Sequence, residues 1–359
     1  MRVRGVNLGN WLVLEKWMGG SPLSQAEAPD DRGLIDEWPA EQRFSRLRAH
    51  YGSYVTERDF AWLAQAGVNL VRIPVPYHVF GTAHHCPCVE YLDAAMDWAA
   101  ACGMGVLIDL HTVPLGQNAL DNSGYMGLCA WHRSEERMDF VLEVLRRLCR
   151  RYAGHAALWG IEPINEPASA LVLRRTLARC KPDFPERVAR SSHLSYVRLR
   201  EFYERFYRLA RPILGPDVRI VVHDGFRISA WDHALVGHDF ENVWIDTHQY
   251  LCFVEPKWGA HSLSWYKALL RMLGSRTRRA ARYHPVLVGE WSLGNHCRQL
   301  RSMGEDERRA WYRELADAQL DAWDACGGSC FWSYKTEAPM RENWSFVTCA
   351  ERGWIDLRA

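Results

Sequence analysis

Long hydrophobic runs are absent from this 359-residue sequence. No stretch of 18 consecutive apolar residues occurs, so we expect no membrane-spanning helix. The first ten residues, MRVRGVNLGN, contain no apolar signal segment and lead almost directly into a strand pattern. Positive and negative charges nearly balance, with a net charge of +1, which gives no electrostatic reason to expect a nucleic-acid partner.

Cysteine pairing patterns are also missing. The 11 cysteines are an odd number and show no repeated spacing, unlike a disulfide framework. Together with the N-terminal residues, this composition predicts a reduced, cytoplasmic protein with free thiols. The stretch HHCPC at 84–88 is too tightly spaced for a zinc finger, and no second Cys/His pair stands at a matching distance. We expect a polar loop there and no metal.

Linker-like tracts rich in Gly, Ser or Pro are absent, and no internal repeat is visible, so the sequence predicts one domain over residues 1–359. Short apolar runs bounded by Gly, Pro or polar residues recur eight times, which is typical of buried parallel strands. These predicted strands cover 3–9, 69–75, 105–111, 157–166, 219–225, 243–250, 285–291 and 329–335.

Helical patterns separate most of these strands. They cover 56–67, 89–103, 134–154, 195–211, 263–281 and 306–326. In the first of them, Thr56 is a suitable N-cap and Gly67 a suitable stop. Eight strands with helical crossovers predict an α/β fold, the (β/α)8 or TIM barrel. The long segments 10–55 and 168–194 are then insertions on the barrel.

Polar side chains stand at the C-terminal ends of most predicted strands, where the active sites of such barrels lie. The fourth strand ends in Asn165 and Glu166, within LWGIEPINEP, and the seventh ends in Glu290. The other such residues are Arg72, Asp109, His111, His223, Asp224, His248, Tyr250, Trp332 and Lys335. Two glutamates across a barrel mouth suit glycoside hydrolysis, in which one carboxyl holds a proton and the other is ionised. Seventeen tryptophans supply aromatic faces that suit a sugar.

Two other functions are compatible with these residues. The pattern D-x-H occurs twice, at Asp109/His111 and Asp246/His248, as in a metal-dependent barrel hydrolase. Such a site usually has a His pair on an early strand, where this chain offers Asn7. The barrel is also compatible with a carbohydrate-binding protein without catalysis, although the presence of both glutamates argues against it.

The chain resembles glycoside hydrolase family 5, within clan A of the (β/α)8 retaining glycosidases, and is most similar to the exo-β-1,3-glucanase branch. The resemblance rests on motifs that follow in order over nearly the whole chain: RGVNLGNWLVLE, VRIPVPY, EYLDAAMDWA with VLIDLH, GQNALDNSG, GIEPINEP, DTHQY and VGEWS. It implies an exo-acting β-glucosidase or exo-β-glucanase that retains anomeric configuration and needs no metal or organic cofactor. Its substrate would be a β-linked glucoside or short oligosaccharide, with β-1,3, β-1,6 and aglycone linkages all compatible.

The resemblance also implies roles for individual residues. Glu166 matches the general acid/base and Glu290 the nucleophile, so we expect Glu166 to have the higher pKa and the two carboxyl groups to stand about 5–5.5 Å apart. Asn165 matches the residue that binds the sugar 2-hydroxyl, and Arg72 matches the arginine that supports the charge of the nucleophile. The other residues that match sugar-binding positions are Glu15, His111, Asp121, Asn122, His248, Tyr250, Phe253 and Trp332.

The chain departs from the branch on the acceptor side. Leu120 stands where an aromatic residue is usual, although its counterpart Phe253 is retained, so the aromatic pair that clamps the +1 sugar is halved. The segment 168–194 has its own sequence, with six Arg or Lys against two acidic residues. We expect this segment to be a solvated surface excursion.

Overall fold

The computed structural model describes residues 2–256, 261–337 and 341–358. Eight parallel strands form a closed barrel in which each strand pairs with its neighbours in chain order and the last pairs with the first. The strands are β1 (Val3–Asn7), β2 (Leu70–Val75), β3 (Gly105–Leu110), β4 (Leu158–Glu162), β5 (Arg219–His223), β6 (Val243–His248), β7 (Val286–Trp291) and β8 (Gly328–Phe331). The predicted (β/α)8 barrel is confirmed.

Helices surround this barrel. They are α1 (Asp31–Glu37), α2 (Ala40–Tyr54), α3 (Glu57–Gln65), α4 (Val89–Ala101), α5 (Glu135–Tyr152), α6 (Ala170–Cys180), α7 (Pro185–Ala189), α8 (Tyr196–Leu214), α9 (Leu251–Val254), α10 (Leu263–Ala280), α11 (Glu305–Asp324) and α12 (Phe346–Glu351). Short 3-10 segments lie at Lys16–Met18, Leu23–Gln25, Asp121–Ser123, Trp131–Arg133, Ile228–Trp231, Arg298–Arg301 and Glu342–Trp344. In the described ranges, no helix combines the length and the apolar character that a bilayer crossing requires.

The helix boundaries follow from local chemistry. Helix α3 begins after Thr56, whose backbone N–H donates to the Asp59 carboxylate at 2.6 Å, and it ends before Gly67, which has a φ of +89°. Helix α5 begins after Ser134, whose hydroxyl accepts from the Arg137 N–H at 3.3 Å. Its first turn is acidic and its last turn is basic, which complements the helix dipole.

Several predicted strands extend too far at their C-terminal ends. Strand β4 stops at Glu162, so Asn165 and Glu166 lie in the loop that follows it. Glu166 has a positive φ of 46°, which is incompatible with a continuing strand. Strand β8 likewise stops at Phe331, before Trp332 and Lys335. The polar groups that we expected on strand ends are therefore carried partly by the first residues of the loops.

Inside the barrel, side chains form two layers of opposite character. The layer near the strand N-termini, called the apolar layer here, consists of Val3, Leu70, Leu107, Val221, Leu287 and Cys330. The layer above it, called the charged layer, consists of Arg72, Asp109, Glu162 and Asp246, all with no solvent exposure. Because side chains alternate along a strand, consecutive inward positions such as Leu70 and Arg72 belong to successive layers.

The segment 168–194 lies at the surface, as expected, and most of its residues are exposed or half-buried, but it has regular structure. It contains α6 and α7, and Leu173 of α6 is buried against Ala119, Cys129 and Ala168. The other insertion, 10–55, contains α1 and α2. Both insertions therefore form parts of the protein surface around the C-terminal end of the barrel.

Candidate active site

Arg72 lies at the centre of the charged layer. Its Nη1 donates to Oε1 of Glu290 at 3.1 Å and to Oδ1 of Asn7 at 3.1 Å. Its Nη2 donates to Oδ1 of Asn165 at 2.8 Å. One guanidinium therefore connects β1, β7 and the loop after β4, and it fixes Glu290 by a charge-assisted hydrogen bond.

Three further carboxylates surround the same guanidinium. Nη2 lies 3.1 Å from Asp109, and Nε lies 3.0 Å from Glu162 and 3.8 Å from Asp246. Burial lowers the pKa of Arg72, but Asp109, Glu162, Glu290 and Asp246 outweigh this effect and raise its pKa well above the usual value. Arg72 is thus a permanent buried cation that serves four carboxylates.

Glu290 receives two more contacts, from His248 at the end of β6 and from Tyr250 directly before α9. The Tyr250 hydroxyl donates to Oε2 at 2.7 Å. His248 Nδ1 lies 3.2 Å from the same oxygen. These contacts agree with the expected positions of Arg72, His248 and Tyr250 around Glu290.

Glu166 and Glu290 both contact the same nitrogen, Nδ1, of the His248 ring. His248 Nδ1 donates to Oε1 of Glu166 at 2.7 Å, and Asn122 Nδ2 donates to Oε2 at 2.9 Å. Since one nitrogen contacts both glutamates, their two nearer oxygens lie within about 6 Å of each other, which favours the separation of a retaining pair over that of an inverting pair.

The order of the two glutamate pKa values differs from our expectation. Burial and the neighbouring Glu166 raise the pKa of Glu290, despite the opposing effects of His248 and Arg72. Burial also raises the pKa of Glu166, but the hydrogen bonds from His248 and Asn122 outweigh it, so the Glu166 pKa is lowered. The directions of the two pKa shifts therefore contradict the expectation that Glu166 has the higher pKa.

His248 explains this reversal. Burial lowers its pKa, but Glu290, Asp246 and Glu166 raise it well above 6.5, which favours the protonated ring. This cation lies closer to Glu166 than to Glu290 and stabilises the charged form of the nearer carboxylate. A proton on His248, which this raised pKa favours, lies one hydrogen bond away from Glu166.

Asn165 and His111 form one hydrogen-bonded chain. Asn165 Nδ2 donates to Nε2 of His111 at 3.2 Å, and His111 Nδ1 donates to Asp109 at 2.5 Å. The two bonds fix the orientation and the tautomer of the imidazole. The Trp332 ring lies nearly parallel to His111, with centroids 5.7 Å apart and planes 13° apart. This indole gives the site an aromatic wall.

Two acidic residues extend the site toward the first insertion. Glu15 is only 4% exposed, and its Oε2 accepts from Trp17 Nε1 at 2.6 Å. Its Oε1 is buried and has no hydrogen-bond partner within the described residues. Burial raises the pKa of Glu15 well above the usual value, and Asp121, Glu290 and Glu166 add to this. Burial, Glu166 and Asp30 also raise the pKa of Asp121, despite hydrogen bonds from the backbone that lower it.

The acceptor side carries the expected aromatic residue and one that the sequence did not reveal. Phe253 is 76% exposed and contacts Tyr250 edge-on, with centroids 5.4 Å apart. Trp344 stacks on Tyr250 at 5.1 Å and contacts Trp17 edge-on at 5.4 Å. Trp344 lies beyond β8 in a segment without a recognised motif. The only signal in the sequence for its place at the site was that it is a tryptophan. Leu120 is half-buried and, being aliphatic, supplies no ring at the position where the resemblance implies an aromatic residue.

Glu162 was also missed as a contributor to the site. It ends β4 and lies within the motif GIEPINEP, so the alternation along this strand was the signal that could have found it. Asp246 appeared only as half of a D-x-H pair. In the structure Asp109 and Asp246 both face Arg72, so a guanidinium occupies the place where a metal hydrolase would need its cation.

Two groups of described residues have spacings compatible with a metal ion. The first, Asp31, His78 and His85, includes one residue of the HHCPC stretch. The His78 and His85 rings stack face to face, 4.1 Å and 21° apart, so their in-plane lone pairs do not converge on one ion. Cys86 and Cys88 are buried away from this group, which corrects the expectation of a wholly polar loop.

The second group consists of Glu166, His223 and His248. His223 Nδ1 accepts from the Gly225 N–H at 2.9 Å, which leaves the proton of the neutral ring on Nε2. His248 already binds Glu166 through Nδ1. Nδ1 of each ring is thus engaged, whereas Nε2 of His223 and Nε2 of His248 are buried without a hydrogen-bond partner in the described part of the chain.

Comparison with known proteins agrees with this geometry. The family model Cellulase (glycosyl hydrolase family 5) matches residues 36–334. Probable glucan 1,3-beta-glucosidase A of Emericella nidulans is 32% identical, over 94% of this chain and 86% of the relative. Glucan 1,3-beta-glucosidase of Lachancea kluyveri is 30% identical, over 94% of this chain and 83% of the relative.

Solved structures share the fold at lower identity. The rutinosidase from Aspergillus niger superposes with a TM-score of 0.73 at 21% identity, over 98% of this chain and 97% of that one. A broad-specificity endoglucanase from an uncultured bacterium superposes with a TM-score of 0.65 at 15% identity, over 99% and 92%. Taken with the family match over most of the sequence, the barrel and its paired glutamates show that this chain belongs to glycosyl hydrolase family 5 and is a glycosidase.

Proposed function

We propose that this protein is a retaining, exo-acting β-glucosidase that hydrolyses β-linked glucosides or gluco-oligosaccharides, with β-1,3-linked chains as the preferred class. The observation that carries the proposal is the contact of one His248 nitrogen with both Glu166 and Glu290. The glucan 1,3-beta-glucosidase names of the two fungal relatives support the choice of linkage.

In the first step, Glu290 attacks the anomeric carbon as the bond to the departing oxygen breaks. Arg72 and Tyr250 hold the nucleophilic carboxylate in place through their hydrogen bonds to Oε1 and Oε2. Glu166 protonates the departing oxygen. We propose that this proton reaches Glu166 from His248 along the 2.7 Å hydrogen bond between them.

In the second step, water hydrolyses the ester between the sugar and Glu290. Glu166, now a carboxylate, takes one proton from this water as its oxygen bonds to the anomeric carbon, and Glu290 is released. Two displacements at one carbon restore the original β-configuration. Asn165 is positioned by Arg72 to contact the sugar near the reacting carbon.

We propose exo action because of the residues at the end of the site near Glu15 and Asp121. The unpartnered Oε1 of Glu15 and the neighbouring Asp121 offer acceptors for hydroxyl groups of a terminal sugar. On the opposite side Phe253 is highly exposed, and Leu120 supplies no aromatic ring for a clamp because it is aliphatic. We therefore propose a tight site for the terminal glucose, a permissive site for the leaving group, and activity on β-1,6 and aryl linkages alongside β-1,3.

The catalytic assignment is tested with a poorly activated β-glucoside. Glu290→Ala should abolish turnover, and Glu166→Ala should reduce it by roughly 10²–10⁴-fold. With an activated aryl β-glucoside, added azide should restore turnover to Glu166→Ala by forming a β-glucosyl azide, because azide needs no general base. Glu41→Ala, on the exposed face of α2, is the matched control and should behave as wild type. Full activity in Glu290→Ala would refute the assignment, and so would a wild-type protein that only binds sugar.

The stereochemical and exo proposals have separate tests. Proton NMR during hydrolysis should show β-glucose first, and α-glucose as the first product would instead show inversion. A laminari-oligosaccharide labelled at its reducing end should lose one glucose at a time from the other end. Cuts within the chain would disprove exo action without affecting the roles of Glu166 and Glu290.

We also propose that the protein works in a reducing, cytoplasmic compartment. All eleven cysteines are free thiols in the structure, which fits a cytosolic redox environment. Titration of the denatured, freshly isolated protein with a thiol reagent should give eleven reactive groups. A lower number would indicate disulfides and argue for an oxidising compartment.

A further inference from the structure

One buried carboxylate joins three loops beside the active site. Asp30 has no solvent exposure, and its Oδ1 accepts from the Gly33 N–H at 2.8 Å at the start of α1. Its Oδ2 accepts from the Met126 N–H at 2.7 Å and from Nη1 of Arg187. The same Arg187 nitrogen donates to the Met126 carbonyl at 3.0 Å. Asp30, Met126 and Arg187 belong to the loops after β1, β3 and β4 respectively.

The loop at 118–127, called the Asn122 loop here, leads from this junction to the acid/base. The Gly127 N–H donates to the Ala119 carbonyl at 2.9 Å and closes the loop. Inside it, Asn118 Nδ2 donates to Oδ1 of Asn122 at 3.0 Å. This bond turns the other end of the Asn122 amide toward Glu166, where Nδ2 donates to Oε2 at 2.9 Å.

The helices of segment 168–194 press on the same loop. A Cβ at Gly127 would lie 3.0 Å from Cβ of Phe184, which leaves no room for a side chain there. The Ser191 hydroxyl donates to the Gly127 carbonyl at 3.2 Å. Arg187 itself lies over the Phe184 ring, 5.2 Å from its centroid. The loop is therefore held from outside by packing and by the Arg187 cation.

We propose that Arg187 is a positioning residue for Glu166: by binding both Asp30 and Met126, it holds the Asn122 loop where the Asn122 amide contacts the acid/base. The inference rests on the proposed function, since it concerns the acid/base of that reaction. Through Arg187 the segment 168–194 would contribute to catalysis, although we assign none of its residues to sugar binding. The charge of Arg187 matters because Asp30 is a fully buried carboxylate that needs a cation.

Loss of this clamp has a defined consequence for the reaction. Without Arg187 the Asn122 loop keeps the hydrogen bonds of Met126 to Asp30 and of Ser191 to Gly127 but loses its charged tie, so the Asn122 amide is held less firmly at Glu166. The carboxylate of Glu166 then loses a donor that lowers its pKa. The proton shared by Glu166 and His248 is held more tightly, so the basic limb of the kcat/KM profile should move to higher pH.

The experiment compares kcat/KM between acid and alkaline pH for a β-glucoside whose leaving group needs protonation. Arg187→Ala and Asn122→Ala should each move the basic limb upward by about one pH unit, the effect of one hydrogen bond to a charged group. The double variant should move it no further than Asn122→Ala alone. Arg187→Lys keeps the cation and should restore most of the wild-type profile. Arg175→Ala, exposed on α6, is the matched control.

Several results would overturn the inference. A lowered melting temperature in Arg187→Ala with an unchanged basic limb would show a merely structural role. Additive shifts in the double variant would show that Arg187 acts by a route other than Asn122. If Arg187→Ala does not fold, Asp30→Asn weakens the same ion pair and must show the same shift. Inactive wild-type protein, or a Glu290→Ala variant with full activity, would refute the proposed function instead, so the two failures are distinguishable.

Discussion

The apolar layer and the charged layer lie next to each other in one barrel, yet they follow opposite rules. Leu70 and Leu107 in the apolar layer are buried among hydrocarbon neighbours. Two residues further along the same strands, Arg72 and Asp109 belong to the charged layer, whose guanidinium contacts the three carboxylates of the layer and also Glu290. The first layer is stabilised by burial of apolar area, and the second depends on a single cation. Side chains two residues apart on one strand thus belong to different layers, of which one contributes stability and the other the catalytic groups.

The largest expected effect comes from removing that cation. Arg72→Met leaves Asp109, Glu162, Asp246 and Glu290 buried without their partner, so we expect a loss of about 3–5 kcal/mol in the free energy of unfolding. Turnover should be lost as well, because Glu290 and Asn165 lose their shared donor. Denaturant unfolding measures the change, and Arg175→Met on exposed α6 is the control. Wild-type stability in Arg72→Met would show that the carboxylates are protonated and need no cation.

A change in the apolar layer should separate stability from activity. Leu107→Ala removes three buried carbon atoms and should cost about 3 kcal/mol of unfolding free energy through lost burial and a residual cavity. Its kcat/KM should stay within a few-fold of wild type, because no member of the charged layer loses a hydrogen bond. Unfolding curves and steady-state kinetics on the same preparation test this. A collapse in activity at full stability would mean that the two layers are not independent.

The difference between the barrel strands and the loops that follow them explains which features the sequence predicts. Strand alternation places Arg72 and Asp109 inside the barrel, and the family motifs identify Glu166 and Glu290. The alternation is weaker evidence beyond a strand end, where Glu166 adopts a positive φ and Trp344 approaches from a distant segment. Contacts between loops, such as that of Arg187 with Asp30, depend on how the insertions dock and leave no periodic signal.

The order of the glutamate pKa values was beyond sequence reasoning for a related reason. Both carboxyl groups are buried, and the sequence indicates that each has polar neighbours. Their order depends on a difference of a few tenths of an ångström in the distances from His248, 2.7 Å to Glu166 and 3.2 Å to Glu290. Such a difference is set by the packing of β6 against β7 and by the loop that carries Glu166.

A smaller effect should appear in the pH dependence of stability. The pKa of His248 is raised well above 6.5 by Glu290, Asp246 and Glu166, despite burial. A raised histidine pKa contributes stability that is fully present below the unfolded value of 6.5 and is lost as pH rises through the folded value. His248→Gln should remove this dependence, worth about 1.4 kcal/mol per unit of raised pKa.

Leu107→Ala serves as the control for this measurement, since it should unfold more easily at every pH but keep the wild-type slope above pH 6.5. Melting temperatures across the alkaline range would compare the variants. Equal slopes in His248→Gln and wild type would mean that the ring is neutral in the folded protein, and the proton of the site would then have to lie on a glutamate.

The smallest effect is expected from Glu162→Gln, in the charged layer itself. Burial raises the pKa of Glu162 well above 4.5, with Asp246 and Asp109 adding to this and Arg72 opposing it. A raised carboxyl pKa means that stability falls as pH rises from 4.5 through the folded value, whereas a neutral amide of the same shape avoids this loss. We expect the variant to lie within about 1 kcal/mol of wild type at neutral pH and to lose less stability with rising pH. Because one cation serves four carboxylates, the site should tolerate the loss of one negative charge but not the loss of the positive charge. A destabilisation of Glu162→Gln as large as that of Arg72→Met would contradict this account of the layer.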